Sequence, residues 1–179
     1  MASIITATVA SGLTQSADNS GVLQLASGTG NLVTVPSVTG TAMVSGNMPA
    51  FSAYPSSKQS VTSGVNTKIL FQTELFDTNN NFASSRFTPT VAGYYQINLY
   101  LSPNTANTRM LVMLYKNGSR FAILADMAVN ANTNGGSTII YFNGTTDYVE
   151  GWGFMNGTGP EWNDASDSTY FSGCLVRSA

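Results

Sequence analysis

Side chains that could do chemistry are few and scattered in this sequence. The chain has no histidine, so a serine or cysteine nucleophile would lack an imidazole base. Its one cysteine, Cys174, has no second thiol for a disulfide and no cluster of ligands for zinc. The sequence therefore predicts a protein that is not an enzyme. Four carboxylates cannot be assigned as a glycosidase pair, and we interpret them as solvated strand ends: Asp77, Asp126, Asp147 and Glu150.

One loop combines groups that could ligate and groups that could stack. Residues 156–168 form the longest polar stretch, in which acidic residues surround an indole. Carboxylate oxygens suit Ca²⁺, and an exposed indole can stack on a sugar or anchor a contact. No cofactor is expected beyond a Ca²⁺ ion that these oxygens could hold. The alternative is a solvated loop whose tryptophan packs back on the domain. The candidate receptor-contact residues are Glu161, Trp162, Asp164 and Asp167.

The segment that organises the chain is GYYQINLYL, residues 93–101. Its alternation places Tyr95, Ile97 and Leu99 on one face of a strand. A turn at Asn117-Gly118 predicts a hairpin, because both positions tolerate positive φ. About eight to ten short strands at regular spacing indicate an all-β sandwich. The other predicted strands lie at 51–54, 109–116, 120–125, 137–142, 147–154 and 169–176, and Cys174 is expected to be buried in the last.

The stretch from residue 71 to residue 101 also carries a family pattern. Phe71, Asp77, Phe82 and Phe87 precede Gly-x-Tyr-x-Ile-x-Leu at 93–99, and YFSGCLV closes the chain at 170–176. This pattern resembles the globular head of complement component 1q, one of the tumour-necrosis-factor-like jelly rolls. The resemblance implies that residues 49–179 form a jelly-roll head that assembles as a homotrimer. It carries over no ligand site. The candidate core or trimer-contact residues are Tyr95, Ile97, Leu99 and Phe171.

Residues 1–48 form a distinct region with a single charged residue, Asp18. Short apolar runs at 4–9, 22–25 and 32–35 predict a β-rich arm, and residues 37–49 form a linker rich in small and polar residues. Such a region buries too little apolar surface to fold alone, so we expect it to dock on another protein. The candidate anchor residues are Ile4, Ile5, Val9, Val22, Leu23 and Leu25.

The arm carries a second resemblance. The stretch ATVASGLTQSADNSGVLQL, residues 7–25, is similar to N-terminal stretches of tailed-phage fibre proteins and other virion proteins. This similarity implies that the arm binds other virion proteins.

Composition excludes several classes of partner. Charged residues are 9% of the chain and the net charge is −2, which argues against a nucleic-acid partner. No run approaches the roughly 18 apolar residues that a membrane span needs. The first eight residues lack the basic start and apolar core of a signal peptide.

These observations favour a virion structural protein. It would be a homotrimeric spike, short fibre or capsid decoration protein, located in the virion, whose head is exposed to attach to a host-surface glycan or protein. The alternative is a secreted or surface-exposed soluble binding module of the complement-head type.

Overall fold

A computed structural model describes residue 46 and residues 48–128 and 132–179 in full, and only the backbone of Leu23–Ala26 and Leu32–Val35. The chain divides into two compact units, Met1–Thr41 and Ala42–Ala179, and each is described by itself. In the first unit, β1 (Leu23–Ala26) pairs antiparallel with β2 (Leu32–Val35). The predicted strands at 22–25 and 32–35 are therefore confirmed, the first with a shift of one residue. Of the candidate anchor residues, Leu23 and Leu25 are described only by their backbone in β1. The other four lie outside the described residues: Ile4, Ile5, Val9 and Val22.

The second unit consists of antiparallel strands joined by turns. Among the residues that the structure describes there is no α-helix, and consequently none that could cross a membrane. The strands are β3 (Ala50–Tyr54), β4 (Gln59–Ser60), β5 (Thr67–Lys68), β6 (Thr73–Asp77), β7 (Phe82–Ala83), β8 (Arg86–Phe87), β9 (Gly93–Leu101), β10 (Arg109–Lys116), β11 (Ser119–Ala128), β12 (Asn134–Phe142), β13 (Val149–Asn156), β14 (Glu161–Trp162) and β15 (Tyr170–Ser178).

These strands form two main sheets that pack as a sandwich. The first sheet has the order β12-β9-β15-β3-β6, and the second has the order β11-β10-β13-β8-β7 with β5 also paired to β13. The short strands β14 and β4 form a separate pair. In the first sheet the last strand, β15, lies between β9 and β3, which is the crossed connectivity of a jelly roll. The predicted all-β jelly-roll sandwich is confirmed.

The core lies between the two sheets. On β9 the predicted alternation is confirmed, because Tyr95, Ile97 and Leu99 are all fully buried. Phe171 is buried opposite them, and its ring lies 5.0 Å from that of Phe51. Fully burying side chains of this size stabilises the fold by about 1.5–3 kcal/mol each. All four candidate core residues therefore belong to the core of the single chain.

Cys174 is exposed, so its predicted burial is wrong. The alternation along β15 explains the difference: Phe171, Gly173 and Leu175 face the core, and Cys174 falls on the opposite face. The Cys174 thiol is therefore exposed to solvent on the outer face of the first sheet.

Candidate functional site

The predicted receptor-contact loop is built around a buried tryptophan. Trp162 is fully buried, because β14 pairs with β4 and draws the indole into the core. Gly153 makes the room: a Cβ there would lie 2.5 Å from Cζ2 of Trp162. The expectation of an exposed aromatic anchor at Trp162 is therefore wrong, and the alternative, packing back on the domain, is what the structure shows. Within the described part of the chain, Trp162 Nε1 has no hydrogen-bond acceptor.

The acidic residues of that loop are not brought together. Glu161 accepts hydrogen bonds from Asn104 Nδ2 at 2.6 Å and from Ser60 Oγ at 3.3 Å. Asp164 is half-buried and Asp167 is exposed. Over residues 48–128 and 132–179, no group of three or more His, Cys, Asp or Glu side chains could hold a metal ion. These carboxylates thus provide no assembled Ca²⁺ site, and receptor contact by this loop stays a prediction.

Large apolar side chains are exposed on two neighbouring edge strands of the described part of the chain. β11 ends the second sheet and β12 ends the first, and the two run side by side, since a Cβ on Gly136 would lie 3.3 Å from Leu124 O. Three of these side chains are 46% to 57% exposed, and we call them the edge surface: Phe121, Ile123 and Ile139. Exposed apolar surface on edge strands is a candidate for contact with another protein.

The outer face of the first sheet is polar but uncharged along its centre. On β9 the outward residues Gln96 and Asn98 lead to Tyr100, whose ring stacks on Tyr170 at 5.2 Å with the planes 19° apart. Burial and the neighbouring Tyr100 raise the pKa of the Tyr170 hydroxyl, so it stays neutral. A flat face with aromatic rings and without charges can be covered by another protein at little desolvation cost.

Charge is concentrated instead on the outer face of the second sheet. The Glu150 carboxylate is 4% exposed, and its Oε1 accepts hydrogen bonds from Lys68 Nζ at 2.8 Å and Arg86 Nη2 at 2.8 Å. Burial alone would raise the pKa of Glu150, but the hydrogen bonds from Lys68 and Arg86 outweigh it and hold the pKa below its ordinary value. Glu150 is therefore not a solvated strand end, as the sequence suggested, but the centre of an ion cluster.

Aromatic rings surround the Glu150 cluster. The Arg86 guanidinium lies 3.7 Å from the centre of the Tyr148 ring, and Trp152 Nε1 donates to Glu150 Oε2 at 3.3 Å. The rings of Trp152 and Tyr115 stack at 4.3 Å. Sequence reasoning missed this cluster, although Glu150 alternates with Tyr148 and Trp152 on one face of the predicted strand. The cluster sets two cations against one carboxylate, and removal of a partner would leave a buried charge that is poorly compensated.

Comparison with known proteins adds support for the fold. No protein-family model matches the chain, and no curated protein matches it. The globular domain of the zebrafish complement 1qA protein is similar in structure, with a TM-score of 0.56 and 17% identity over 73% of this chain and 98% of that domain. Murine APRIL is similar with a TM-score of 0.56 and 10% identity over 72% of this chain and 99% of its own. The tumour-necrosis-factor-like and complement-head-like jelly roll is thereby confirmed as a fold.

Proposed function

We propose that this chain is a non-enzymatic binding protein that assembles as a homotrimer. The observation that carries the proposal is the pair of unlike surfaces: the apolar edge surface on β11 and β12, and the uncharged centre of the outer face of the first sheet. If the edge surface of one copy packs on the face of the next, the contact is heterologous, and three such contacts close into a ring when each copy is rotated by a third of a turn from the last. The likeness in fold to a complement head supports this assembly.

We further propose that the trimer is a structural protein of a virus particle, a short fibre, spike or capsid decoration protein located in the virion. Residues 1–48 would be the anchoring arm and residues 49–179 the exposed head. The proposal is supported by the similarity of residues 7–25 to virion proteins and by the arm itself, which has a single charged residue and whose strands β1 and β2 pair. In this arrangement the head attaches to a glycan or protein on the host surface.

A second candidate is a soluble binding module of the complement-head type. The structural likeness to the zebrafish complement domain favours it, because that likeness spans 98% of the complement domain. In this case residues 1–48 would have no particle to bind.

Light scattering of the purified full chain tests the assembly. We expect a mass three times that of the 18.9 kDa chain at micromolar concentration. Phe121→Asp and Ile139→Asp should shift the sample towards monomer, because each buries a charge in the contact. Val65→Asp is the matched control, since Val65 is 48% exposed in the segment before β5, outside both proposed surfaces. A monodisperse wild-type monomer would contradict the proposal.

Gradient sedimentation separates the two candidate functions. A virion protein should co-sediment with intact particles, and a chain that lacks residues 1–48 should remain trimeric but leave the particle fraction. Recovery of the full chain only in the soluble fraction would favour the complement-type module.

A further inference from the structure

A concave site lies at one end of the outer face of the first sheet. Its volume is about 450 Å³, and it is lined by Tyr94, Tyr141, Arg177, Ser178 and Ala179. Three neighbouring strands place its main side chains in one row: Tyr141 on β12 is opposite Tyr94 on β9, and Arg177 on β15 is also opposite Tyr94. We call this row and its concavity the Arg177 cleft.

A β-bulge brings Arg177 into the row. Leu175 pairs with Tyr95 and Arg177 pairs with Tyr94, so Val176 is an extra residue in β15. Without this insertion, the alternation along β15 would put Val176 on the outer face and Arg177 on the core side with Leu175. Bulges that redirect a side chain are common next to binding sites.

The backbone is packed tightly beneath the bulge. A Cβ on Gly93 would contact Arg177 O and would come 2.8 Å from Leu175 Cδ1. Beside it, Ala179 N donates a hydrogen bond to Ala92 O at 3.1 Å. The backbone beneath the Arg177 cleft is therefore held in place by close packing and a hydrogen bond.

The guanidinium of Arg177 is free to bind a ligand. In the part of the chain that the structure describes, Arg177 forms no side-chain hydrogen bond or ion pair. It shares this state with Lys58 and Arg120, whereas the other four cations are paired with carboxylates: Lys68, Arg86, Arg109 and Lys116. No carboxylate side chain lines the cleft. Arg177 is exposed and no acidic side chain lies beside it, so an anion is the favoured occupant of the cleft.

The two tyrosines determine what kind of anion would fit. The rings of Tyr94 and Tyr141 lie 5.4 Å apart with their planes at 57°, and they are 45% and 43% exposed. Half-exposed rings at this angle offer apolar surface to a compact ring, and the tyrosine hydroxyls can exchange hydrogen bonds with other hydroxyls. The guanidinium fork matches a carboxylate in two parallel hydrogen bonds.

We propose that the Arg177 cleft binds an acidic sugar, a pyranose ring that carries one carboxylate. The carboxylate pairs with Arg177, the ring packs against Tyr94 and Tyr141, and the sugar hydroxyls form hydrogen bonds with the tyrosine hydroxyls. This inference rests on the proposed function in that it names the chemistry of a surface glycan that the head would attach to.

Titration of the full-length protein with glucuronate and glucose, followed by ligand-observed NMR, tests the proposal. The two sugars share a ring and differ in the carboxylate. Glucuronate should bind at least about tenfold more tightly than glucose, and Arg177→Gln should weaken glucuronate binding about tenfold or more without changing glucose binding. Tyr94→Ala should weaken the binding of both sugars. Arg120→Gln is the matched control, because Arg120 is exposed on β11 away from the cleft.

Three results would overturn the acidic-sugar proposal: no glucuronate binding, equal affinity for the two sugars, or unchanged glucuronate affinity in Arg177→Gln. Light scattering of the same samples separates this proposal from the assembly. If the protein is a trimer that does not bind glucuronate, only the acidic-sugar proposal is contradicted. If it is a monomer that binds glucuronate, only the homotrimer proposal is contradicted.

Discussion

Glu150 illustrates how a chain with few charges uses one buried carboxylate. Its side chain is 5% accessible, and those of Lys68 and Arg86 are 26% and 42% accessible. A carboxylate so placed is stable only while both cations remain bound to it, because an unpaired buried charge is costly. The cluster links β13, which carries Glu150, to the two short strands that pair with it: β5, which carries Lys68, and β8, which carries Arg86.

We expect Glu150→Gln to lower the free energy of unfolding by about 1–3 kcal/mol at pH 7, because charge-assisted hydrogen bonds are lost. The pKa of Glu150 lies below its ordinary 4.5, so its contribution is present above pH 4.5 and is lost as the pH falls through the lower folded-state pKa. Urea unfolding at several pH values measures the effect. The wild type and the variant should converge at acidic pH, and a difference that persists there would contradict the ion-cluster interpretation.

Trp162 should behave as a core residue. Trp162→Ala should cost about 3–5 kcal/mol, because it opens a cavity next to Gly153. Trp152→Ala is the matched control, since Trp152 is half-exposed on the outer face and its loss should cost clearly less. Thermal unfolding of both variants gives the comparison. If both variants lose equally little stability, the Trp162 side chain does not contribute to the core as its burial indicates.

At the scale of the element, the pairing of β9 with β15 depends on a glycine. Gly93 begins β9 where the bulge at Val176 brings the β15 backbone close. Gly93→Ala should destabilise the fold by about 1–3 kcal/mol or more, because the added methyl meets backbone that cannot yield. Gly46→Ala is the control, since nothing lies within 4 Å of a Cβ there. Chemical unfolding checks both, and a neutral Gly93→Ala would show that the strands can separate without cost.

Sequence patterns predicted some elements well and others poorly, for physical reasons. The alternation of Tyr95, Ile97 and Leu99 is local and strong, so it predicted both the strand and its buried face. The burial of Trp162 was not predictable in this way, because it depends on β14 pairing with β4 and on space left by Gly153, neither of which is local in sequence. The bulge at Val176 likewise follows from the hydrogen-bond register between strands.

At the scale of the whole molecule, we predict that residues 49–179 fold without the arm. The proposed boundary keeps two contacts at the start of the head: Leu175 N donates to Pro49 O at 3.0 Å, and Ala50 N donates to Thr78 Oγ1 at 2.9 Å. It removes one exposed hydrogen bond, from Asn79 Nδ2 to Gly46 O at 3.0 Å. The fragment 49–179 should be soluble and should melt close to the full chain.

A shorter fragment provides the contrast for this boundary. Residues 55–179 lack β3, which lies between β15 and β6 and contributes the core residue Phe51. Circular dichroism and solubility should show that this fragment does not fold. An insoluble 49–179 fragment would place the boundary elsewhere.

The single exposed thiol of Cys174 limits how many chains of an assembly can be joined by disulfides. Each chain has one cysteine, so disulfides can join chains only in pairs. Within a single trimer at most two of the three thiols can be oxidised against each other, and one must stay reduced. Oxidation at high dilution, where disulfides between separate assemblies do not form, should therefore leave at least one free thiol in every trimer, and a free-thiol titration counts it.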